Sequence, residues 1–305
     1  MKNMNVLPWS SIVGQTQLKN ALMMSYIEPR ISGVLVSGER GAGKSTIVRA
    51  FARMVSGTLP VTLPINATED RVVGGWDVGE LLKSVPRWKP GLLEEANGRM
   101  LYVDEVNLLD DHIVNIILDV TASGLLRVER ESQTRESRVR FTLVGTMNPE
   151  EGTLRPQLLD RFGLMVDVRG LGDTGQRRAV LDTVMRSAAG IDDGALAKDE
   201  AMRVELEDAK ERAAAMSVPE PVLEGCVALA QRFQADGHRG DVTLALASRA
   251  LAALQNSNRV TRDHLCSVAA LVLQHRRKMP GQRELLPWST EDDASVAETL
   301  SDVRA

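Results

Sequence analysis

The sequence is poor in histidine and cysteine, the residue types that most often mark a metal centre or a disulfide framework. Its four histidines are scattered, with no C-x-x-C or H-x-x-x-H spacing: His112, His238, His264 and His275. This pattern does not indicate a transition-metal site. The two cysteines, Cys226 and Cys266, lie far apart in apolar, helix-like segments. We therefore expect two buried free thiols and no disulfide, as suits a reducing compartment.

Long apolar runs and an excess of positive charge are also absent. No window approaches about 18 uninterrupted apolar residues, and residues 1–10 lack the apolar run of a secretory signal, so we expect neither a membrane span nor export. The net charge is −4, which provides no basic surface for nucleic acid. With 43% hydrophobic residues among 305, the composition predicts a cytoplasmic protein with room for two domains.

The sequence does contain short apolar runs of strand length, separated by helical patterns. These runs occupy residues 33–37, 100–103, 141–146 and 164–168. They are typical of parallel strands that are buried on both faces of a sheet. The predicted fold class is therefore α/β, with a mostly parallel sheet and right-handed crossovers. The charged, partly alternating stretch 124–141 predicts a hairpin that projects before the third core strand.

The strand pattern ends at a Gly-rich stretch, residues 170–175, which predicts a domain boundary. We expect an α/β core over residues 1–170 and a helical domain over 171–280. Five helices are predicted after the boundary, at 176–188, 195–216, 219–235, 240–256 and 261–278. Thr261 is the expected N-cap of the last helix, and the stretch 199–214, rich in charge and alanine, predicts a solvated helix. Residues 281–305 contain Pro287 and an acidic cluster at 291–293, and the sequence leaves the order of this tail open.

A nucleotide site is indicated by GERGAGKST, residues 38–46, which matches the P-loop pattern G-x-x-x-x-G-K-[ST]. The motif follows a predicted strand and opens a predicted helix, so its backbone N–H groups can meet phosphates. Lys44 would reach the β- and γ-phosphates of ATP, and the Ser45 hydroxyl would hold Mg²⁺. The expected nucleotide-binding residues are Gly38, Gly41, Ala42, Gly43, Lys44, Ser45 and Thr46. The structural alternative is a Gly-rich turn with a surface lysine.

Acidic and amide side chains follow the next predicted strands. Asp104 and Glu105 come directly after the run at 100–103, and Asn148 follows the run at 141–146. Asp104 suits a magnesium shell, Glu105 could polarise an attacking water, and Asn148 could help to orient that water. An ordinary acidic strand end and an Asn-Pro turn would explain the same residues without a function. Function is favoured because ligands bind at the C-terminal edge of a parallel sheet.

Together these motifs resemble the AAA+ ATPases, and within them the magnesium chelatase subunit I family. The resemblance covers roughly residues 7–278. It rests on IVGQ (12–15), GERGAGKST (38–46), ATEDRVVG (67–74), KPGLLEEANGRMLYVDEVNLLDDH (89–112), GTMNPEEGTLRPQLLDRFG (145–163) and HRGDVTLALASRALAAL (238–254). It implies an AAA+ P-loop core followed by a helical lid with a sensor-2 residue. It also implies a homo-oligomeric ring, expected to be a hexamer, that uses ATP and Mg²⁺.

The resemblance assigns further roles by position. Ile12 and Val13 would line the adenine pocket, Asp104 and Glu105 would form the Walker B site, and Asn148 would be sensor 1. The matching arginines are Arg161 for the arginine finger, Arg239 for sensor 2, and Arg249 as a weaker sensor-2 candidate. A solvated arginine at a helix start is the alternative for Arg239.

The segment LRPQLLDRFG, residues 154–163, predicts how Arg161 is presented. Pro156 suits the first position of a short helix. At about 100° per residue, Leu158, Leu159 and Phe162 share one face, and Arg161 points off to the side. An arginine held rigidly in this way suits the ATP site of a neighbouring subunit, which predicts assembly.

The sequence says less about the protein on which this ATPase acts than about ATP hydrolysis itself. The resemblance implies the motor subunit of a magnesium or related metal chelatase, with a partner subunit that inserts the metal into a tetrapyrrole. A MoxR-like remodelling chaperone for a metalloenzyme or a von Willebrand-type partner is a second hypothesis, because the spacing from the P-loop to ATED is compact and the tail matches no motif. A DNA helicase is a third, suggested by the arginines in 124–141. A non-hydrolysing nucleotide switch is a fourth, and the presence of Glu105 argues against it.

Overall fold

A parallel five-stranded sheet forms the centre of the N-terminal half of the chain. The computed structural model describes residues 6–76, 87–130, 133–189, 193–277 and 287–302. Its strands are β1 (Val34–Ser37), β2 (Val61–Leu63), β3 (Gly74–Trp76), β4 (Trp88–Pro90), β5 (Met100–Val103), β6 (Leu125–Arg130), β7 (Gln133–Arg138), β8 (Thr142–Met147) and β9 (Leu164–Asp167). The central sheet has the order β2-β5-β8-β1-β9, with every pairing parallel. The predicted α/β class is confirmed, and the four predicted runs fall on β1, β5, β8 and β9.

Helices surround the sheet and then make up the rest of the chain. Those among the strands are α1 (Thr16–Ile27), α2 (Lys44–Ser56), α3 (Glu69–Val73), α4 (Leu92–Glu95), α5 (Asp111–Ser123) and α6 (Pro156–Leu159). Those after the sheet are α7 (Thr174–Ala189), α8 (Asp193–Ala215), α9 (Glu220–Arg232), α10 (Arg239–Leu254), α11 (Arg262–Leu273) and α12 (Thr290–Asp302). Helices α7 to α11 lie at the five predicted positions, and Thr261 caps α11 as expected.

Both faces of the sheet are buried because successive side chains enter two different apolar clusters. Val34 and Val36 of β1 belong to one cluster, together with residues of α1, α2 and the later helices. Leu35, between them, belongs to the other, together with residues of α5. This alternation follows from the two-residue period of a strand. It explains why the strands appear in the sequence as continuous apolar runs.

Two antiparallel ribbons stand apart from the central sheet. Strands β6 and β7 pair from Leu125 with Arg138 to Arg130 with Gln133, which confirms the hairpin predicted at 124–141. Strands β3 and β4 form the second ribbon, where Trp76 and Trp88 meet edge to face with ring centroids 5.5 Å apart.

Helix α8 ties the helical part of the chain to the N-terminal residues. The carboxylate of Asp199, only 8% exposed, accepts hydrogen bonds from the backbone N–H groups of Trp9 and Ser10, both at 2.7 Å. Leu206 and Ala209 of the same helix are buried. The sequence expectation of a solvated helix at 199–214 is therefore wrong for one face, because that face closes the core behind Trp9.

The last described segment, whose order the sequence leaves open, contains α12. Val296 and Leu300 of this helix are buried. A Cβ at Gly225 of α9 would lie 3.0 Å from a methyl carbon of Leu300, so the two helices approach closely where α9 has no side chain. Trp288, just before α12, stacks on Phe233 with ring centroids 5.1 Å apart. Helix α12 is thus part of the helical bundle.

The two cysteines are free but differ in environment. Cys226 of α9 is buried and Cys266 of α11 is exposed. The expectation of two buried thiols is therefore wrong for Cys266, which lies on the outward face of its helix. Within the described ranges, none of the single helices is both long enough and apolar enough to cross a membrane.

Candidate functional site

The strand register brings the predicted site segments to one edge of the sheet. Val36 of β1 lies opposite Thr146 of β8, and Val103 of β5 lies opposite Gly145. The P-loop follows β1, Asp104 follows β5 and Asn148 follows β8. All three segments therefore meet at the carboxyl edge, where ligands bind in sheets of this kind.

The P-loop has an open backbone cradle ahead of α2. Gly41 and Gly43 adopt φ angles of +82° and +83°, a region that side chains other than glycine rarely enter. At Gly38 a Cβ would lie 2.1 Å from the carbonyl oxygen of Val168, so only glycine fits. Gly43 is the N-cap of α2, whose free N–H groups and positive dipole end favour an anion. Ser45 is half-buried in the first turn and Thr46 is exposed.

Lys44 lies in a pocket of carboxylates. Its Nζ donates to the carbonyl oxygens of Gly38 and Glu39, the latter at 2.9 Å. Burial lowers the pKa of Lys44, while the charges of nearby acidic side chains, Asp104, Glu105, Glu151 and Glu39, act in the opposite direction. The surplus of negative charge favours a cation at this edge of the sheet.

The donors at this edge fit Mg²⁺ bound mainly through phosphate. The described residues contain no group of three or more His, Cys, Asp or Glu side chains placed to hold a metal alone. Mg²⁺ usually takes one or two protein ligands and completes its shell with phosphates and water. Asp104 is exposed and Ser45 half-buried, so both can supply an oxygen to a shared ion.

Thr146 organises the acidic pair and was not indicated by any sequence motif. Its hydroxyl, 1% exposed, donates to Oδ1 of Asp104 at 2.7 Å and accepts from the backbone N–H of Glu105 at 3.1 Å. The Tyr102 hydroxyl also donates to Asp104, at 2.8 Å. Burial raises the pKa of Tyr102, so it remains a donor. Only the pairing of β5 with β8 could reveal this network, because Thr146 is 42 residues from Asp104.

Replacing Thr146 by valine tests this network. We expect ATP turnover to fall by about 10- to 100-fold, because the groups that orient Asp104 and Glu105 are lost. Stability should fall by about 1–3 kcal/mol, since the N–H of Glu105 loses its partner. Steady-state turnover and urea unfolding measure the two effects. Thr142→Val, at the other end of β8, is the matched control. Equal losses in both variants would contradict the assignment.

Glu105 is partly buried and contacts the P-loop. Its backbone is in the left-handed region at φ 53°, which turns the carboxylate off the strand direction. Nη2 of Arg40, in the P-loop, lies 3.4 Å from Oε1 of Glu105 and also pairs with Glu151. Arg40 and Glu151 therefore belong to the site. Neither has a fixed role in a recognisable motif, so the sequence did not indicate them.

Asn148 lies at the sheet edge with its side chain partly engaged. It is 4% exposed, and its Oδ1 accepts from the backbone N–H of Glu150 at 3.3 Å, at the start of a single 3₁₀ turn, Pro149–Glu151. The amide nitrogen is the group it can offer to a phosphate or a water. The Asn-Pro turn is therefore present, and it leaves the donor that the predicted function needs.

Ile12 and Val13 follow the turn Trp9–Ser11 and are half-buried. Ile12 packs against the same apolar cluster as Ala42 of the P-loop, which makes an apolar surface next to the cradle. Gln15 holds this stretch in place by donating to the carbonyl oxygen of Arg169 at 2.9 Å. The structure thus keeps these residues close to the P-loop side of the core.

Arg161 lies at the opposite edge of the sheet. Pro156 is the first residue of α6, and Leu158, Leu159 and Phe162 are buried at 3%, 4% and 1% exposure, as predicted. Strand β9 pairs with β1 so that Leu164 lies opposite Val34 and Asp167 lies opposite Ser37. Residues before Leu164 therefore lie at the start of β1, one strand length, or about 10 Å, from the edge where the P-loop follows Ser37. Arg161 instead forms an ion pair with Asp119 of α5.

Arg239 contacts the residue before Arg161 and lies away from the P-loop of its own chain. As the first residue of α10, it donates from Nη1 to Oδ2 of Asp160 at 2.8 Å and is about half exposed. The sensor-2 role of Arg239 stays a prediction, because its contact within this chain is with Asp160, the residue before Arg161.

Arg249, the weaker sensor-2 candidate, lies away from both the P-loop and the segment that carries Arg161. Its side chain is 14% exposed and pairs with the buried Glu28. Glu28 precedes β1 and also pairs with Arg30 at 2.8 Å. Arg249 therefore fastens α10 to the core, which is a structural role. A different arginine, Arg276, is buried between α11 and the segment 160–163 and was not indicated by the sequence.

Family models match two parts of the chain. Residues 33–162 match the AAA domain (dynein-related subfamily), which spans the sheet and the site described above. Residues 223–298 match the AAA lid domain, which extends into α12. The sequence motifs left that last segment unassigned.

Individual proteins are similar over nearly the whole chain. The magnesium-chelatase 38 kDa subunit of Cereibacter sphaeroides is 42% identical over 88% of this chain and 91% of its own length. A cryo-EM-based structure of the complex between subunits BchI and BchD of magnesium chelatase contains a chain 38% identical to this one. That match covers 97% of this chain and 99% of the other, with a TM-score of 0.54. A putative ATPase from Cytophaga hutchinsonii, at 18% identity and a TM-score of 0.69, shares the fold.

Proposed function

Since the chain belongs to the magnesium chelatase subunit I family of AAA ATPases, we propose that it hydrolyses ATP as the motor subunit of a metal chelatase. The observation that carries the proposal is 42% identity to a magnesium-chelatase subunit over 88% of the chain. A MoxR-like remodelling chaperone is not favoured, because the similar proteins are chelatase subunits.

The carboxyl edge of the sheet supports a role in ATP binding for each predicted residue except Arg239, which pairs with Asp160. Backbone N–H groups of the P-loop and the start of α2 bind the phosphates, and Lys44 neutralises the β- and γ-phosphates. Ile12 and Val13 contact the adenine from the apolar side of the cradle. Residues Gly38, Gly41, Ala42, Gly43, Ser45 and Thr46 complete the set.

Hydrolysis is assigned to the acidic pair and Asn148. Mg²⁺, held through Ser45 and Asp104, would withdraw charge from the phosphates. Glu105 accepts the proton of the attacking water, and its backbone is fixed for this by the bond from its N–H to Thr146. Phosphate oxygens compete for Arg40, which pairs with Glu105 in the structure, so nucleotide binding frees the base.

The position of Arg161 supports assembly into a ring. Neither Arg161 nor Arg239 lies at the P-loop edge of its own chain: Arg161 pairs with Asp119, and Arg239 pairs with Asp160, the residue before Arg161. An arginine presented away from its own site can stabilise charge on the γ-phosphate of an adjacent chain. A head-to-tail contact of this kind closes into a ring, and the family resemblance suggests a hexamer.

A partner subunit is proposed for the metal chemistry. The similar structure is a complex of two magnesium-chelatase subunits, BchI and BchD. For this chain, the metal to be inserted and the tetrapyrrole would be substrates of the partner, and ATP hydrolysis would drive the partner's conformational cycle.

The hairpin β6–β7 does not support the helicase hypothesis. Nη2 of Arg127 lies 2.5 Å from Oε1 of Glu129, and Arg127 also pairs with Glu136 at 3.8 Å. Arg135 pairs with Glu94 at 3.5 Å and stacks on the Trp88 ring at 4.8 Å. Arginines already neutralised by carboxylates give little attraction for phosphates of nucleic acid.

Reconstitution tests the chelatase proposal. The chain is mixed with candidate partner subunits, a porphyrin, Mg²⁺ and ATP, and insertion is followed by the porphyrin absorption spectrum. We expect insertion that requires the complete mixture and that stops when Glu105→Gln replaces the natural chain. ATP hydrolysis without insertion in every partner combination would refute the chelatase assignment and leave the ATPase assignment intact.

A further inference from the structure

The three residues that follow α11 hydrogen-bond to the backbone of residues 160–165. We call residues 160–165 the arginine-finger segment, because they include Arg161. Three consecutive residues, Gln274, His275 and Arg276, donate to carbonyl oxygens of residues 160–165. Gln274 donates to Met165, and Nε2 of His275 donates to Phe162 at 2.9 Å. Since Phe162 accepts this bond with a carbonyl, Nε2 carries the proton.

Arg276 makes most of these contacts. Its side chain is 1% exposed. Nη1 donates to the carbonyl oxygen of Gly163 at 2.9 Å, and Nη2 donates to those of Asp160 at 2.9 Å and Phe162 at 2.5 Å. Nη1 also donates to the carbonyl oxygen of Val272, in the last turn of α11, at 2.6 Å. These bonds fix the backbone on both sides of Arg161.

The bonded carbonyls need a partner because of local structure. Helix α6 ends at Leu159, so the carbonyl groups just after it have no helical N–H to accept from. Burial lowers the pKa of Arg276 to about 10, and the Asp160 carboxylate acts in the opposite direction, so the guanidinium stays charged at neutral pH. Burying a charge costs free energy that an apolar side chain would avoid, so stability alone does not explain an arginine here.

The same contacts connect Arg239 with the backbone that carries Arg161. The Asp160 carboxylate accepts from Nε of Arg276 at 3.3 Å through Oδ1 and from Nη1 of Arg239 at 2.8 Å through Oδ2. Arg276 therefore fixes the position of Asp160, and Asp160 in turn holds Arg239. Arg276 also fixes the backbone that carries Arg161. Lid helices α10 and α11 and the finger segment form one unit through this residue.

We propose that Arg276 is the positioning residue for the arginine finger, so that Arg161 moves with the lid of its own subunit. This rests on the proposed action of Arg161 at a neighbouring ATP site. A lid that shifts when its own chain binds nucleotide would carry Arg161 toward or away from the neighbour. The two ATP sites would then be coupled through one buried guanidinium.

Arg276→Lys tests the proposal, because lysine keeps the charge but loses the planar fork. A displacement of about 1 Å at a catalytic group can cost about 10²-fold, so we expect turnover to fall by about 10²-fold while ATP affinity stays within about two-fold. Arg212→Lys is the matched control. Arg212 also donates to a carbonyl, that of Ala253, but lies away from the finger segment, so its turnover should be unchanged.

Mixing experiments separate positioning from a structural defect. Lys44→Ala subunits have an intact finger, so adding them to Arg276→Lys subunits should raise activity above the sum of the two alone. The double variant Arg161→Ala with Arg276→Lys should have a turnover no more than about two-fold below that of Arg161→Ala alone, because both substitutions remove the same interaction of Arg161. Gln274→Met, a milder change in the same clamp, should show the same pattern with a smaller loss if Arg276→Lys does not fold.

Two results overturn the proposal. The first is full turnover of Arg276→Lys while Arg161→Ala is inactive, because the finger then works without its clamp. The second is an inactive Arg276→Lys that folds and co-assembles but gains nothing from Lys44→Ala. Full turnover of Arg161→Ala would instead refute the proposed finger itself, so the two failures are distinguishable.

Discussion

Glu105→Gln is expected to lower ATP turnover by about 10²–10⁴-fold and to leave ATP affinity within about two-fold. Glutamine has nearly the same shape, so the bond from the backbone N–H of this residue to Thr146 remains. What is lost is the carboxylate that accepts a proton from the attacking water. The pair with Arg40 also weakens, which removes a competitor of the phosphates and does not impair binding. Steady-state hydrolysis and titration with a fluorescent ATP analogue measure the two effects.

Glu150→Gln is the matched control for this substitution. Glu150 is exposed at the same edge of the sheet, and its contact with Asn148 is made by the backbone N–H, which the change leaves intact. Turnover of this variant should match the natural chain. Undiminished hydrolysis by Glu105→Gln would remove Glu105 as the base and direct attention to Glu151, another carboxylate near Lys44.

Arg161→Ala is expected to lower turnover by about 10³–10⁵-fold, the usual contribution of an arginine finger. ATP binding by each chain should persist, because Arg161 lies at the opposite edge of the sheet from its own P-loop. The ion pair with Asp119 involves a carboxylate that is two-thirds exposed, so its loss should have little effect on folding. Turnover, ATP affinity and thermal unfolding of the purified variant give the three readouts.

Complementation decides whether Arg161 acts in trans. Arg161→Ala keeps an intact P-loop and Lys44→Ala keeps an intact finger, so mixed assemblies should regain part of the activity. Arg155→Ala is the control from the same segment: its side chain is 77% exposed and pairs with Asp111, and its turnover should be normal. If the two inactive variants co-assemble and every mixture stays inactive, Arg161 is not a finger for a neighbouring chain.

The P-loop and the acidic pair could be predicted from sequence because local chemistry specifies them. Gly41 and Gly43 need positive φ angles that few other residues tolerate, and the lysine and hydroxyl follow at fixed spacing. The short apolar run before Asp104 marked a buried parallel strand, and its end marked a sheet edge. The hairpin at β6–β7 was predictable from the alternation of charged residues between Gly124 and Phe141.

Residues that act through distant partners gave no signal in the sequence. Thr146 is an ordinary strand residue until β8 pairs with β5 and places its hydroxyl on Asp104. Arg276 is one of two adjacent arginines at a helix end, where solvated charges are common, yet it is almost completely buried. Cys266 and the α8 segment were wrongly predicted for the same reason, since helical periodicity does not say which face the rest of the chain covers.

The sequence by itself determined the chemistry of the nucleotide site, since phosphate binding depends on residue types at short, fixed spacing. It also determined the alternation of strands and helices, because a strand buried on both faces must be continuously apolar. Only the tertiary structure decided which edge of the sheet each arginine occupies. Arg161 precedes β9 and the P-loop follows β1, and parallel pairing of these strands puts them at opposite edges. Arg161 therefore points away from its own P-loop, and α11 holds it there through Arg276.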